Sequence, residues 1–308
     1  MKKSKKVLFI GSKILGLRCL KEMHNLDPRS IAGVLTIDDR ADGRSAFEDF
    51  EKFTSDEKIS FHIARNKNEA EKIIKQVEPE ICFVIGWYWI IGKKTLESVP
   101  GGFLGIHHSL LPKYRGGSPL VWAMINGEKT TGTTLFSFSQ GMDDGDIWTQ
   151  EKVEIADDDY ISDMLLKLEK KAVSILKNKY ISILEGKTRS IPQDHDKATF
   201  CAQRIPDDGL INWERGAIEV YNFIRAQSEP YPGAFTYFEG RKLIIWRAHL
   251  GEEVYYGAPG QVARRAGEFI YVVCGESRPI ILETVQYDGK KSSAGEIIKS
   301  IKTRFKVS

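Results

Sequence analysis

Two short segments of the chain carry residues that could do acid/base chemistry. The first, GIHHSLLPKYRG at residues 105–116, places His107 at the end of an apolar run and follows it with a turn that exposes the ring. The second, GMDDGDI at residues 141–147, is an acidic loop that could orient that ring. An imidazole paired with a carboxylate can accept and donate protons near neutral pH. The two segments therefore predict an acid/base site.

The elements that must position this site are those of a parallel sheet covered by helices. Strand-like apolar runs alternate with helical patterns through the first half of the chain, which is typical of an α/β fold. The run before His107 delivers the histidine to the carboxyl end of a strand, where open α/β sheets bind ligands. We expect strands at 7–10, 31–37, 80–85 and 103–106, and helices at 16–24, 68–77 and 159–184.

The last third of the chain has a different pattern. After a polar, turn-rich stretch at 188–203, which we interpret as a linker, short apolar runs are split by turns. Such spacing favours a small barrel. We therefore expect a Rossmann-like α/β domain at 1–203 and a small, mostly-β (OB-like) barrel domain at 204–308. The predicted strands of the barrel are 234–238, 242–248, 260–263, 269–273 and 280–285.

Composition narrows the range of functions. The 308 residues carry a net charge of only +3, which does not demand a polyanion partner. The four cysteines have no metal-ligand spacing and fit reduced, structural thiols, so we expect a cytoplasmic protein. No apolar run is long enough to span a membrane. Gly11 and Gly16 do not form the Gly-x-Gly-x-x-Gly motif, so no nicotinamide dinucleotide site is predicted.

The two segments resemble the signature of the folate-dependent formyltransferases. In that family an Asn-x-His pair precedes Ser-Leu-Leu-Pro, and the Asp of an Asp-x-Gly turn completes the catalytic set. Further likeness to the branch that acts on nucleotide-linked amino sugars lies in RIPDD at 204–208, the Asn212–Trp213 pair and RAQSEPYPGAF at 225–235. The resemblance covers nearly the whole chain. It implies a catalytic pair formed by His107 and Asp143.

The resemblance also implies a ligand set. The one-carbon donor would be 10-formyltetrahydrofolate, with no metal, and its pterin would lie against the segment after the third strand and the loop before Asp143. The residues expected to contact it are Gly86, Trp87, Tyr88, Ile90, Gln140, Gly141 and Asp143. Three consecutive aromatic side chains cannot all face one way, so some of residues 87–89 should serve as packing.

On the acceptor side, guanidinium groups are suited to phosphate because they offer fork-shaped donors. We expect a nucleotide diphosphate to meet Arg115, Arg204 and Arg225, although each of these arginines could instead form a surface ion pair. Ser109 and Tyr114 complete the predicted substrate-binding set. The polar loop at 38–45 could close over the substrate, but we interpret it as solvated.

Gly105 is the departure from the family pattern, because it stands where the family has Asn. An amide donor to the formyl oxygen is worth on the order of 3 kcal/mol of transition-state stabilisation, and glycine has none. Either His107, His108 or a backbone N–H takes over, or the protein is weakly active or inert, or the chain was altered there. We favour the first explanation. Adjacent side chains in extended backbone face opposite ways, so His108 should face away from the site.

Three functions remain to be weighed. The leading hypothesis is a sugar-nucleotide N-formyltransferase without nucleic-acid or membrane partners. The alternative is formylation of methionyl-tRNA, which needs a phosphate-tracking surface; residues 204–308 carry 15 Lys and Arg against 13 Asp and Glu, which does not favour it. A non-catalytic ligand-binding relative is the third. Tyr255, Tyr256 and Tyr271 could form a homodimer surface. The sugar, the nucleotide and the amine position are not encoded in any motif.

Overall fold

The computed structural model describes residues 5–305 of the chain. The strands of this part, in chain order, are β1 (Val7–Gly11), β2 (Ile31–Ile37), β3 (Phe61–Ala64), β4 (Ile81–Ile85), β5 (Phe103–His107), β6 (Arg115–Gly116), β7 (Thr130–Ser137), β8 (Ile147–Glu154), β9 (Phe200–Cys201), β10 (Ala234–Phe238), β11 (Arg241–Leu250), β12 (Val262–Ala266), β13 (Phe269–Val273), β14 (Pro279–Tyr287) and β15 (Lys290–Ser293). The helices are α1 (Lys13–Leu26), α2 (Phe47–Asp56), α3 (Lys67–Val77), α4 (Lys93–Ser98), α5 (Pro119–Ile125), α6 (Ile161–Leu184), α7 (Ala217–Gln227) and α8 (Ala294–Ile297).

The chain divides into two compact units that are each built from several segments. The first unit runs to Gly116 and returns for Thr131–Val153 and Lys167–Phe200. The second unit consists of Gly117–Thr130, Glu154–Leu166 and the chain from Cys201 onward. The sequence-based division at 203/204 thus lies close to residues 200 and 201, where the chain passes from the first unit to the second for the last time. It did not anticipate that α5 and the first residues of α6 belong to the second unit.

The first unit is organised around a seven-stranded sheet with the order β3-β2-β1-β4-β5-β7-β8. Strands β3, β2, β1, β4 and β5 are parallel, and β7 runs antiparallel to β5. The central strands β1 and β4 are buried along their whole length, which is why their sequences VLFIG and ICFVI are continuously apolar. The predicted Rossmann-like sheet is confirmed.

Successive residues of the central strands feed two different hydrophobic clusters, one on each face of the sheet. Phe9 and Phe83 join the cluster that contains Tyr180 of α6, whereas Leu8 and Cys82 join the cluster that contains Ile74 of α3. This alternation follows from the two-residue period of a strand. Because both faces of the sheet are covered by apolar packing, polar side chains are accommodated at the ends of its strands.

The helices of the first unit follow their sequence signals with small shifts. Helix α3 begins after Asn66, whose side chain accepts from the Glu69 N–H as an N-terminal cap. The predicted helix at 159–184 is α6, and Asp159 accepts from the Ala156 N–H in the turn before it. Gly186 follows α6 with a φ of 71°, a conformation that favours glycine. Helices α2 and α4 and strands β3, β6, β7 and β8 were not predicted.

The second unit contains a six-stranded antiparallel sheet in the order β10-β11-β14-β13-β12, with β15 paired to β14. The five predicted strands are present. The sixth, β15, was missed because its sequence KKSS is short and polar and shows no apolar alternation. Trp213 is fully buried in the core of this unit and stacks on Phe305 at 5.5 Å between ring centroids. Helix α7 packs on β11.

Candidate active site

Strand β5 places His107 at the carboxyl end of the central sheet. The ring is buried, and its Nε2 lies 2.7 Å from the carbonyl oxygen of Tyr114. A carbonyl oxygen can only accept, so Nε2 carries the proton of this hydrogen bond. Tyr114 has a φ of 59°, an unusual left-handed conformation that turns its carbonyl toward the ring. The strand and this turn together fix the orientation of the imidazole.

Asp143 supplies the carboxylate that the sequence predicted. Its Oδ2 accepts from the Gly116 N–H at 2.8 Å and lies 3.5 Å from Nδ1 of His107. Asp143 itself has a φ of 48°, which aspartate tolerates better than most residues. The structure thus brings His107 and Asp143 together. When Nδ1 carries a second proton, the ring is an imidazolium facing a carboxylate; when it does not, two electron-rich atoms face each other.

The space beside Gly105 is filled by an aromatic ring. A Cβ at position 105 would lie 2.3 Å from Cε1 of Phe138, a separation that real side chains do not adopt. Phe138 packs on Phe136 at 5.4 Å between centroids, and Phe136 meets the His107 ring edge-on at 6.1 Å. Where the family has an amide, this chain therefore has an apolar wall. Glycine at 105 and phenylalanine at 138 are mutually dependent.

His108 lies on the opposite side of the backbone from His107. Its Nδ1 is 3.5 Å from the Thr133 hydroxyl, which itself donates to the Leu168 carbonyl inside the first unit. Burial, together with the neighbouring His107, lowers the pKa of His108 to about 4. The ring is therefore neutral at physiological pH. This placement agrees with the alternation expected of extended backbone.

The segment after β4 presents a mixture of packed and exposed aromatic side chains. Trp87 and Trp89 are half-buried against the cluster under α3, with their rings edge-to-face at 5.2 Å. Tyr88 and Ile90 are exposed. Gly86 has a φ of 71°, and any Cβ there would lie 2.7 Å from the Ser12 carbonyl oxygen. The segment therefore offers an apolar surface beside backbone that only glycine allows.

The loop between β7 and β8 carries the other residues predicted for the donor. Gln140 and Gly141 are exposed, and so is Met142 between them and Asp143. A Cβ at Gly141 would lie 2.0 Å from the Asp144 carboxylate, so any other residue there would displace that side chain. The roles of these residues toward a pterin stay predictions.

The residues of the first unit predicted to bind the acceptor are engaged with protein atoms. Ser109 is buried, and its hydroxyl donates to the Lys113 carbonyl at 2.6 Å. Arg115 is 3% exposed; its Nε and Nη2 donate to Oε1 of Gln193 at 3.1 and 2.7 Å, and Nη2 also lies 3.3 Å from Nδ1 of His195. Direct phosphate binding by Arg115 would require these bonds to be exchanged. Its contact with substrate stays a prediction.

The arginines of the second unit are held in the same way. Arg204 lies between the rings of Trp122 and Phe223, and its Nη2 donates to the Asp208 carbonyl and to Gln227. Arg225 is 3% exposed and donates to Asn222 and to the carbonyls of Ala156 and Asp159. These contacts give both side chains a structural role. Their role toward phosphate stays a prediction.

Two sets of residues near these loops were not singled out from the sequence. One is the stretch 190–199, part of the predicted linker, which contacts the loop of Asp143 and the turn after His107. The other is Lys13, which follows β1 and pairs with Asp39 at 2.6 Å and Asp42 at 2.8 Å. Burial alone would lower the pKa of Lys13, but the two carboxylates and Tyr88 together outweigh it and raise that pKa. The loop at 38–45 is thus tied to α1 rather than simply solvated. Charge pattern alone carries no signal for such long-range pairs.

Within residues 5–305, no group of three or more His, Cys, Asp or Glu side chains is arranged to hold a metal ion. The four cysteines are buried and unpaired, as expected of structural thiols. Over the same residues, we find no helix with the length and apolar character needed to cross a bilayer.

Comparisons with known proteins agree with this architecture. Residues 5–179 match the family described as formyl transferase, and residues 204–302 match its C-terminal domain. A methionyl-tRNA formyltransferase of Acetivibrio thermocellus is 31% identical over 292 residues, covering 93% of each chain.

Solved structures share the fold at low identity. An N-formyltransferase from Helicobacter canadensis, in complex with folinic acid and dTDP-3-aminofucose, superimposes with a TM-score of 0.70 at 18% identity, over 90% of this chain and 98% of that one. The sugar 3N-formyltransferase WlaRD, solved with dTDP and 5-N-formyltetrahydrofolate, superimposes with a TM-score of 0.68 at 20% identity, over 91% of this chain and 97% of that one. With both domains matched in order and a relative above 30% identity along nearly its whole length, the chain belongs to the formyl transferase family and is a formyltransferase.

Proposed function

We propose that the protein transfers a formyl group from 10-formyltetrahydrofolate to the primary amine of a nucleotide-linked amino sugar. The observation that carries the chemistry is the pair formed by His107 and Asp143, 3.5 Å apart at the end of β5. Formyl transfer needs an uncharged amine, a place for the amine's proton, and a donor to the formyl oxygen. The pair meets the first two needs directly.

In this mechanism the folate supplies the activated formyl carbon when it is bound, and the chain supplies proton control. The Tyr114 carbonyl keeps the Nε2 proton of His107 in place, so Nδ1 and the Asp143 carboxylate share the mobile proton. As the acceptor nitrogen bonds to the formyl carbon, the carboxylate takes the proton of the amine, directly or through a water molecule. The positive charge of the His107 imidazolium then stabilises the negative charge that develops on the formyl oxygen. The bond from the formyl carbon to the folate nitrogen would then break, and that nitrogen would take up the proton from the carboxylate.

The donor to the formyl oxygen cannot be a side chain at position 105. The Phe138 ring fills the space next to Gly105, so no other polar side chain enters from that side. We assign this role to a backbone N–H of the turn that follows His107, because both ring nitrogens of His107 face protein oxygens. Removing one such donor typically costs 100- to 1000-fold in turnover, on the order of 3 kcal/mol, so some substitute is needed in an active enzyme.

The surface proposed for the pterin lies on the segment after β4 and the loop before Asp143. Tyr88 and Ile90 expose apolar area there. A flat heteroaromatic ring suits an apolar slot with a few backbone partners. The apolar side chains after β4 therefore match the chemistry of a pterin ring.

For the acceptor, two observations favour an amino sugar. The superimposable N-formyltransferases described above were solved with dTDP or a dTDP-linked amino sugar. In addition, residues 204–308 have nearly balanced charge, with 15 Lys and Arg against 13 Asp and Glu. A protein that tracks the phosphates of tRNA would be expected to carry a stronger positive excess.

Formylation of methionyl-tRNA is the second candidate. It is favoured by the 31% identity to a methionyl-tRNA formyltransferase over 93% of the chain. Both reactions would use the same donor and the same catalytic pair, so the site itself does not separate them.

The test is a direct comparison of acceptors. The protein is incubated with 10-formyltetrahydrofolate and either a panel of nucleotide-linked amino sugars or charged methionyl-tRNA, and release of tetrahydrofolate is followed by absorbance. We expect turnover with at least one amino sugar and none with the tRNA. Turnover with methionyl-tRNA alone would overturn the proposal. A His107→Asn variant serves as the control for non-enzymatic transfer.

A further inference from the structure

The polar segment at 190–199 is bound along both loops of the active site. Ile191 exchanges two backbone hydrogen bonds with Ile147, each of 2.8 Å, and the Ser190 hydroxyl donates to Asp146 at 3.0 Å. Farther along, Thr199 accepts from the Tyr114 N–H through its hydroxyl and from the Arg115 N–H through its carbonyl, both at 2.8 Å. This stretch therefore contacts the Asp143 loop first and the turn after His107 second.

Gln193 joins these two contacts through one amide group. Its Nε2 donates to the carbonyls of Asp143 at 2.8 Å and Gly145 at 2.6 Å. Its Oε1 accepts from Nε and Nη2 of Arg115. The side chain is 5% exposed. Two donors and two acceptor positions are all that a carboxamide has, so the group is fully satisfied by protein atoms.

The partners of Gln193 adjoin the atoms that hold the catalytic pair. It binds the backbone carbonyl of Asp143 itself. On the other side it binds Arg115, which lies between Tyr114, whose carbonyl holds the His107 ring, and Gly116, whose N–H holds the Asp143 carboxylate. A shift of this amide would move both members of the pair relative to each other.

We propose that Gln193 is a positioning residue for formyl transfer, which sets the separation between Asp143 and His107 from the opposite side of the loops. The inference rests on the proposed function in that His107 and Asp143 are taken as catalytic. Only a neutral amide fits this place. A glutamate would keep its bonds to Arg115 but would turn an anionic oxygen toward the carbonyls of Asp143 and Gly145, and an aliphatic side chain would lose both sets of bonds.

The kinetic test compares Gln193→Glu and Gln193→Leu with Gln76→Glu. Gln76 is exposed on α3, so its replacement makes the same chemical change away from these loops. Misplacement of catalytic groups by about 1 Å can cost about 100-fold, so we expect kcat of Gln193→Glu to fall roughly 10- to 100-fold. The KM for the acceptor should change less than about threefold, because positioning acts on the reacting geometry.

A second measurement does not depend on knowing the acceptor. With 15N-labelled histidine, the ring nitrogens of His107, assigned through His107→Asn, are followed by NMR over pH in the substrate-free protein. We expect both Gln193 variants to alter the titration of His107, whereas Gln76→Glu leaves it as in the parent protein.

These measurements separate the two proposals. If no amino sugar is formylated, the proposed acceptor is wrong, and the NMR titration still decides the role of Gln193. An unchanged His107 titration in both variants would refute the positioning role. The positioning role would also be refuted if the loss of kcat matched the loss of folded protein in thermal unfolding while the His107 NMR signal of the remaining folded protein stayed unaltered.

Discussion

At the scale of single residues, the proposed catalytic pair, His107 and Asp143, is oriented by backbone groups as much as by side chains. The Tyr114 carbonyl fixes which nitrogen of His107 is protonated, and the Gly116 N–H holds the carboxylate of Asp143. Both groups belong to the turn that follows the histidine. The Ser-Leu-Leu-Pro motif and the residues after it therefore serve to aim two backbone dipoles, and the catalytic side chains are oriented by them.

Replacement of Asp143 should separate catalysis from folding. The amide introduced by Asp143→Asn could still accept from the Gly116 N–H, but the change removes the negative charge that faces His107. We expect turnover to fall by about a hundredfold to ten-thousandfold, with thermal stability nearly unchanged. Asp144→Asn in the same loop is the matched control and should stay within about tenfold of the parent protein. Equal losses in the two variants would show that loop charge, not the pair, matters.

Introducing Asn at position 105 should not raise turnover unless Phe138 is also replaced by a smaller residue. Gly105→Asn forces the Phe138 ring to move, and such overpacking typically costs about 1 to 3 kcal/mol of stability. We expect that single variant to show lower urea stability and no gain in turnover. Gly105→Asn combined with Phe138→Ser should be more stable than the sum of the single changes predicts and more active than Phe138→Ser alone.

Urea unfolding and initial rates on all four proteins complete this double-mutant cycle. A gain in turnover from Gly105→Asn alone would mean that the Phe138 ring can move aside at little cost in stability. The chain would then lack a working substitute for the amide.

At the scale of elements, the end of β5 divides two adjacent histidines between two environments. His107 meets the Tyr114 carbonyl and Asp143, whereas His108 meets Thr133 on β7. The two-residue period of extended backbone makes this division unavoidable once one ring faces the loops. The element thus decides that one imidazole is available for chemistry and the other is held neutral.

The neutral state of His108 predicts how stability changes with pH. Its pKa is lowered to about 4 in the folded protein, while an unfolded histidine titrates near 6.5. Between these values the unfolded chain binds more protons, so stability must fall as the pH drops from about 6.5 toward 4. The contribution lost at pH 4.5 is on the order of 2 kcal/mol. Urea unfolding of the parent protein and of His108→Gln at pH 7 and pH 4.5 should show a smaller pH effect in the variant. Identical pH effects in the two proteins would contradict this assignment.

At the scale of the whole molecule, the order of segments along the chain differs from their grouping in space. Helix α5 and the first residues of α6 belong to the second unit, where α5 packs against α7. Leu120, Val121 and Met124 of α5 are buried. A boundary drawn where the sequence changes character therefore cuts through the second unit.

A fragment of residues 1–203 should consequently fold poorly. Without α7, the apolar side of α5 is left exposed, and exposed patches of this kind promote association. We expect the fragment to elute as aggregates in gel filtration and to bind the dye ANS, while the full chain under the same conditions does neither. A monomeric fragment with a cooperative urea transition at the midpoint of the full chain would show that the segments before 203 are self-sufficient.

The sequence by itself determined the fold class, the two-part architecture and the identity of the candidate catalytic residues. Buried parallel strands leave continuous apolar runs, and motifs such as GIHHSLLPKYRG are local, so both can be recognised without coordinates. Helix α2, strand β3 and strand β15 lacked a strong local signal and are stabilised by their neighbours.

Only the tertiary structure decided the contacts between residues distant along the chain. That Phe138 fills the space beside Gly105, that Gln193 joins Asp143 to Arg115, and that Lys13 pairs with Asp39 and Asp42 follow from the packing of loops at one edge of a sheet. Hydrogen bonds and steric fit between such loops depend on distances of a few ångströms. Residue type and spacing along the chain do not encode those distances.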